Sequence, residues 1–125
     1  MKIEELFPGA VFQIEGQIRT ANIVSKYGSV LYDVGIIERN DSIADCSGVP
    51  ITPEILMRLE GENGERFSLN RHRFFIKNNS VRLVMDNVVR YWHSHYVQNM
   101  PIAHTHELQT RVRLDLGIIL TLKPE

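Results

Sequence analysis

The sequence predicts a single α+β domain spanning residues 1–125, and three observations support this prediction. Short runs of alternating apolar and polar residues, divided by turn residues, lie on both sides of residues 48–61, and such runs are typical of antiparallel strands. Within this central segment, Thr52-Pro53-Glu54 has the signals of a helix start. The chain has 125 residues, of which 43% are hydrophobic, so it can bury one core of ordinary size.

Residues 1–47 are predicted to form a β-rich N-terminal part, which is either a small SH3-like barrel or a strongly bent antiparallel sheet. Phe12, Ile14 and Ile18 fall on one face of the first strand, an alternation typical of a half-buried strand. The expected strands cover residues 11–18, 21–27, 30–36 and 43–46. We expect the polar residues 40–42 to end the third strand.

A short helix is predicted at residues 53–60. Thr52 is a favourable N-cap, and Pro53 suits the first helical position, where its missing N–H costs nothing. The two hydrophobic-staple positions are held by Ile51 and Leu56. Gly61 is expected to end the helix in the left-handed conformation.

Residues 62–125 are predicted to add a second antiparallel β group and a C-terminal helix. The expected strands cover residues 67–69, 73–77, 81–85 and 88–97. One face of the last strand holds Val89, Tyr91, His93, His95 and Val97. Since both faces of this strand carry aromatic residues, it is expected to be central in the sheet.

The C-terminal helix is expected at about residues 105–116, with Gly117 as its stop and a closing strand at 118–122. Glu107, Arg111 and Asp115 recur at four-residue spacing. We expect them to form a charge ladder on the solvated face of the helix.

Composition excludes several classes of protein. The one cysteine, Cys46, cannot form an internal disulfide and argues against a Cys-based zinc site, so we expect a buried or half-buried packing residue. No apolar run approaches the ~18 residues of a membrane span, and the N-terminus lacks the pattern of a signal peptide. We therefore expect a soluble, intracellular protein that does not contact a membrane.

The net charge of −1 conceals two halves of opposite sign. Residues 1–65 hold five Lys/Arg against eleven Asp/Glu, whereas residues 66–125 hold nine against four. The two halves could neutralise each other within one domain. The alternative is a head-to-tail contact in a homo-oligomer or an acidic protein partner.

Two segments resemble a known family. The segment GVPITPEIL at residues 48–56, and the segment HELQ at residues 106–109 followed by Gly117, resemble small uncharacterised proteins encoded by phages and integrated elements of Bacteroidales-type gut bacteria. In that family a PLTPEIL helix follows an N-terminal β region, and an HxLQNLYFALTGEEL element closes the chain. The resemblance implies an origin in a mobile element and a location in the bacterial cytoplasm or with the virion, and it names no reaction.

This sequence departs from the family pattern in its C-terminal element. Thr110 stands where the family usually has Asn, residues 111–113 replace an aromatic run, and residues 118–119 replace an acidic pair. The last helix of this protein is therefore expected to bury a different face.

Two histidine pairs, His93/His95 and His104/His106, suggest a metal site as one alternative. In a strand, His93 and His95 share a face and can chelate one ion, and the second pair with Glu107 could complete the site. At a helix start, however, a two-residue spacing directs the rings of His104 and His106 apart. We therefore predict that the histidine pairs are not a metal site and that the protein has no cofactor.

A basic and aromatic stretch suggests weak nucleic-acid binding as a second alternative. Its candidate contacts are Arg66, Arg71, Arg73, Lys77 and Phe75. Cations beside exposed rings are what a single-stranded nucleic acid needs, since cations neutralise phosphates and rings stack on bases. In the opposing interpretation, Phe67, Phe74 and Ile76 are core residues and the arginines protect a solvated sheet edge.

No segment resembles a phosphate-binding glycine loop or a paired-carboxylate active site. We therefore predict no enzymatic activity and no catalytic residues. The predicted function is that of a non-catalytic binding or assembly accessory of a phage or mobile element, acting through a protein partner or as a homo-oligomer.

Overall fold

The mixed α+β architecture is present in the computed structural model, which describes residues 5–71, 73–76, 80–93 and 100–124. The sheets are antiparallel, and two α-helices lie within the described ranges. The chain divides into two compact units, Met1–Val49 and Pro50–Glu125. Each unit is described by itself, and the assignment of both to one domain stays a prediction.

The first unit is a meander of four strands in the order β1-β2-β3-β4. Its strands are β1 (Val11–Ile14), β2 (Gln17–Val24), β3 (Ser29–Val34) and β4 (Ile37–Ser42). Among the described residues β1 and β4 are not paired with each other. The sheet is therefore open, and the SH3-like barrel is not confirmed.

A tight turn divides the segment predicted as one strand at residues 11–18. Glu15 and Gly16 have φ values of 51° and 76°, and Ile14 pairs with Gln17 directly across the turn. Two consecutive residues with positive φ form the turn type whose twist suits a two-residue hairpin. Ile18 therefore lies on the returning strand and is 37% exposed, so its predicted place beside Phe12 is wrong.

The end of this sheet also differs from the prediction. Residues 40–42 do not interrupt a strand but belong to β4, which pairs with β3 along six residues. Their polarity suits an edge strand, which is paired on one side only. The strand expected at residues 43–46 is instead a 3₁₀ turn, Ile43–Asp45, and the Ala44 N–H donates to the capping Ser42 Oγ at 3.3 Å.

The core of the first unit forms around Phe12 and Tyr32. Their rings meet edge to face with centroids 5.4 Å apart, and both side chains are fully buried. The Tyr32 hydroxyl donates a hydrogen bond to Asp41 on the neighbouring strand β4. Cys46 is buried in the same core, as predicted.

The second unit is organised around a five-stranded sheet in the order β10-β9-β8-β7-β6. Its strands are β6 (Ser68–Asn70), β7 (Arg73–Ile76), β8 (Val81–Met85), β9 (Val89–His93) and β10 (Met100–Pro101). A second pairing joins β5 (Leu59–Glu60) to β11 (Thr121–Leu122). The predicted alternation of residues 89–93 is confirmed, and β9 is an internal strand, although β8 is the middle one.

The helix α1 (Pro53–Arg58) begins as predicted and ends earlier. Thr52 Oγ1 accepts a hydrogen bond from the Ile55 N–H at 3.2 Å. The helix stops because Leu59 is already extended, with φ −83° and ψ 133°, and starts β5. Gly61 is thus not a left-handed stop; a Cβ there would lie 2.7 Å from Ile118 Cγ2, so glycine serves close packing.

The helix α2 (Thr105–Leu116) is joined to the five-stranded sheet by a side-chain hydrogen bond. Leu108 and Val112 are fully buried, and Gly117 ends the helix with φ 69°, as predicted. The Tyr91 hydroxyl of β9 donates to Asp115 Oδ2 at 2.7 Å. Asp115 therefore joins the helix to the sheet, and the predicted solvated charge ladder is wrong at this position.

Candidate functional site

The two faces of the five-stranded sheet differ in chemistry. Strand register aligns Phe75, Arg82 and Trp92 in one row across β7, β8 and β9. The next row on the same face aligns Arg73, Val84 and Arg90. We call the face formed by Arg73, Phe75, Arg82, Val84, Arg90 and Trp92 the open face.

Burial separates the open face from the face beneath it. The side chains that alternate with it along the three strands are buried: Phe74, Ile76, Val81, Leu83, Tyr91 and His93. The open-face residues are instead half-buried or exposed. Since α2 lies on the buried side through the Tyr91 to Asp115 hydrogen bond, the open face is directed away from this helix.

Arg82 and Trp92 are in direct contact at the centre of the open face. The guanidinium carbon of Arg82 lies 4.7 Å from the centroid of the Trp92 ring, a distance typical of a cation–π interaction. Arg73, Arg90 and Val84 complete the lining of a shallow groove of about 210 Å³ around this pair. The groove therefore combines one flat aromatic ring with three cations.

The arginines of the open face carry charge that is not neutralised within the described structure. Arg73, Arg82 and Arg90 have no salt bridge to any carboxylate of the described residues. Arg66, by contrast, lies 3.0 Å from Glu60 Oε2. The positive excess of residues 66–125 thus includes three arginines available to an anionic ligand.

The predicted nucleic-acid residues are only partly brought together. Arg73 and Phe75 belong to the open face, whereas Arg66 pairs with Glu60 and Arg71 lies in the turn after β6 with φ 53°. Lys77 lies outside the described residues. The interpretation of the arginines as protection for a sheet edge is wrong for Arg73, because β7 is an internal strand.

Four contributors to the open face were not predicted as site residues from the sequence: Arg82, Val84, Arg90 and Trp92. Each alternates in its strand with residues of the opposite, inner face, and this alternation separates it from them. The sequence does not give the register between strands, which decides that these side chains meet.

A second cluster lies at the start of α2. The side-chain ligand atoms of His104, His106 and Glu107 lie within 4.8 Å of one another. His104 Nδ1 lies 2.7 Å from Glu107 Oε1, and the two imidazole rings stack with centroids 5.6 Å apart and 9° between their planes. The prediction that the two-residue spacing directs the rings of His104 and His106 apart is therefore wrong.

The rings of His104 and His106 stack because the boundary of α2 lies between the two residues. His104 is the N-cap of α2 and has extended backbone angles, φ −126° and ψ 152°, whereas His106 is helical. The spacing of two residues within a helix thus does not apply to this pair. His93 is buried on the inner face of β9 and is not part of the cluster, and His95 lies outside the described residues.

The buried thiol of Cys46 does not suit nucleophilic chemistry. Burial raises the pKa of this thiol, and the nearby carboxylates of Asp41 and Asp45 act in the same direction. The Sγ atom lies 3.6 Å from the carbonyl oxygen of Ser42, to which it donates. A thiolate is therefore disfavoured at this position, in agreement with a packing role.

No protein-family model, curated protein or solved structure matches the chain. The resemblance of residues 48–56 and 106–109 to the mobile-element family therefore stays a prediction from these two motifs. In the described part of the chain, neither helix is long and apolar enough to cross a lipid bilayer.

Proposed function

We propose that this chain is a non-catalytic binding protein and that its open face binds single-stranded nucleic acid. The observation that carries the proposal is the grouping of Arg73, Arg82 and Arg90 around Trp92 on one side of an antiparallel sheet. The role of an accessory of a phage or mobile element belongs to the same proposal. It is supported by the family resemblance alone.

The cations of the open face supply the attraction for a nucleic-acid backbone. Each phosphate that an arginine neutralises releases a condensed counterion, which favours binding at low salt. None of the three arginines forms a salt bridge with the described carboxylates. A phosphate that approaches them therefore does not have to displace a carboxylate of the described residues.

Trp92 and Arg82 supply flat surfaces for bases. Unstacked bases of single strands bind to aromatic rings and to the planes of arginine guanidinium groups. Arg82 already lies over the Trp92 ring, so a base can stack on the guanidinium or replace it on the ring. A double helix keeps its bases stacked inside and cannot use either surface.

The sheet holds these groups in fixed relative positions. Arg82 and Trp92 are cross-strand partners, as are Val84 and Arg90, and the face beneath them is buried. Groups on a paired strand lose less freedom on binding than groups on a loop. This favours binding over a role of the arginines as a merely solvated surface.

The test measures the affinity of the full chain for a fluorescent oligo-dT as a function of salt. Three neutralised phosphates predict a slope of log affinity against log salt of about −2. The single tryptophan, Trp92, provides a second signal, because stacking of a base should change its fluorescence. Duplex DNA of the same length should bind more weakly and leave this fluorescence unchanged.

Variants distinguish the open face from general surface charge. Arg90→Gln and Arg73→Gln should each reduce the magnitude of the salt slope by about 0.7, whereas Arg113→Gln, on the exposed side of α2, should have no effect. Equal effects of Arg90→Gln and Arg113→Gln, or no binding at low salt, would overturn the proposal. Binding to polyglutamate but not to oligo-dT would indicate an acidic protein partner instead.

A further inference from the structure

The geometry points to a metal site formed by His104, His106 and Glu107, with Zn²⁺ as its ion. The site shares no residue with the open face. It does not depend on the proposed nucleic-acid binding. Two imidazoles and one carboxylate provide three ligand atoms within 4.8 Å of one another.

The ligand set suits a first-row transition metal. Imidazole nitrogen and carboxylate oxygen are common ligands of Zn²⁺, whereas Mg²⁺ and Ca²⁺ prefer sites made of oxygen atoms. His104 Nδ1 and Glu107 Oε1 are already 2.7 Å apart, so small rotations of their side chains place both at bonding distance from one ion. The ion takes the place of the hydrogen bond between these two atoms, and the neutral imidazole then carries its proton on Nε2.

The backbone around the cluster is fixed before any ion binds. Residue 104 forms an antiparallel bridge with Pro50, and its carbonyl accepts the Leu108 N–H at 3.2 Å. His106 is 5% exposed, and its carbonyl accepts a hydrogen bond from the Thr110 hydroxyl at 3.1 Å. Little freedom is therefore lost when the three ligands bind one ion.

Three protein ligands leave one position of a tetrahedral zinc ion open to water. Glu107 also lines a groove of about 370 Å³, shared with the apolar residues Ile51, Val89, Pro101 and Ile102. This groove gives water or a small ligand access to the cluster. The positive end of the α2 dipole opposes a cation here, and the carboxylate of Glu107 offsets that opposition.

The test uses the full chain purified without metal and titrated with Co²⁺, followed by displacement with Zn²⁺. A tetrahedral site predicts one equivalent of bound Co²⁺, with visible absorption that Zn²⁺ removes. Zn²⁺ should also raise the melting midpoint by about 5 °C or more when its free concentration is roughly a hundred times Kd.

Two variants remove ligands without removing the fold. His104→Asn replaces the imidazole with a residue that is favoured at an N-cap, and Glu107→Gln keeps the size of the side chain. Each should weaken binding by at least about tenfold, since even the partners of metal ligands typically contribute that much. Glu54→Gln is the matched control, because Glu54 is an exposed carboxylate in the first turn of α1.

The outcomes separate this site from other histidines of the chain. A Co²⁺ spectrum lost in His104→Asn and Glu107→Gln but kept in Glu54→Gln supports the assignment. No tetrahedral spectrum, or a spectrum and a zinc-induced shift that persist in both ligand variants, would overturn it. Circular dichroism of each metal-free variant checks that the fold is kept, so a lost signal can be assigned to the missing ligand.

Discussion

Both units of the chain bury a tyrosine that donates to an aspartate, and an arginine lies beside each aspartate. In the first unit Tyr32 donates to Asp41, with Arg39 at 3.5 Å. These residues lie on the adjacent strands β3 and β4, and the Asp41 side chain is 24% exposed. Water therefore reaches this group, and the hydrogen bond adds to a contact that the hairpin already makes.

In the second unit the same three residue types join a helix to a sheet. Tyr91 on β9 donates to Asp115 on α2, and Arg111 lies 3.2 Å from the same carboxylate, which is only 10% exposed. This bond therefore links two different elements of the second unit, the helix α2 and the strand β9. We therefore expect burial and sequence separation, more than the residue types, to decide how much each group contributes to stability.

The largest expected difference comes from removing the aspartates. Asp115→Ala leaves the buried Tyr91 hydroxyl without its acceptor and removes the carboxylate beside Arg111, so it should lower the free energy of unfolding by about 2–4 kcal/mol. Asp41→Ala should cost only about 1 kcal/mol, because water can replace the carboxylate.

Urea unfolding followed by Trp92 fluorescence reports the second unit, since Trp92 is the single tryptophan of the chain. Hydrogen exchange of the amides in β3 and β4 reports the first unit. Asp115→Asn serves as the control, because it keeps an acceptor for Tyr91 and should recover part of the loss. If Asp41→Ala destabilises its unit as much as Asp115→Ala does, the proposed role of burial is wrong.

Alkaline pH provides a second comparison of the two tyrosines. Burial, followed by the hydrogen bond to the aspartate, raises the pKa of Tyr32 and of Tyr91 above the ordinary value of 10.0. The folded state then keeps a proton that the unfolded state loses. The stabilisation is fully present below about pH 10 and is lost as pH rises above it, by up to about 1.4 kcal/mol per pH unit for each tyrosine.

Tyr91→Phe removes the contribution of Tyr91 to this loss of stability at alkaline pH. The variant should be less stable than the parent at pH 7, because a hydrogen bond is missing, and its stability should fall less steeply above pH 10. Urea midpoints between pH 8 and about pH 11, read from Trp92 fluorescence, test this. Parallel curves for Tyr91→Phe and the parent would contradict the role of Tyr91. Tyr32→Phe provides the corresponding test in the first unit, with unfolding followed by far-ultraviolet circular dichroism because Trp92 reports the second unit.

These long-range bonds also mark the limit of what the sequence predicts. Alternation divided residues 89–93 correctly between the two faces of the strand, because the period of two is a local property of a strand. The turn at Glu15-Gly16 was not predicted, since glutamate seldom adopts positive φ. The partner of Asp115 lies 24 residues away in the sequence, so helix periodicity alone placed it wrongly on a solvated face.

The two candidate sites also depend on features that local periodicity does not give. Arg73, Arg82 and Arg90 lie on three different strands, and only the register of β7, β8 and β9 brings them together. The approach of His104 to His106 depends on one helix boundary, because the N-cap is extended while the following residues are helical. A boundary error of one residue, which is small for the fold, thus changes the chemistry inferred for the site.

The smallest expected difference concerns the caps of the two units. Thr52 caps the six-residue helix α1, where Oγ1 accepts from the Ile55 N–H at 3.2 Å. Thr52→Ala should lower the free energy of unfolding of the second unit by about 1 kcal/mol. Ile51→Ala should cost more, because Ile51 is 6% exposed and its substitution also removes buried apolar area.

Ser42 has the matching position in the first unit but caps a three-residue 3₁₀ turn, with Oγ accepting from the Ala44 N–H at 3.3 Å on an exposed surface. Water can satisfy that N–H when the hydroxyl is missing, so Ser42→Ala should cost only a few tenths of a kcal/mol. Exchange of the Ile55 and Ala44 amides in the two variants measures both effects locally. Thr52→Ser keeps the hydroxyl and should retain most of the stability. An unchanged midpoint for Thr52→Ala would show that tertiary packing of Ile55 and Leu56, and not the cap, determines where α1 begins.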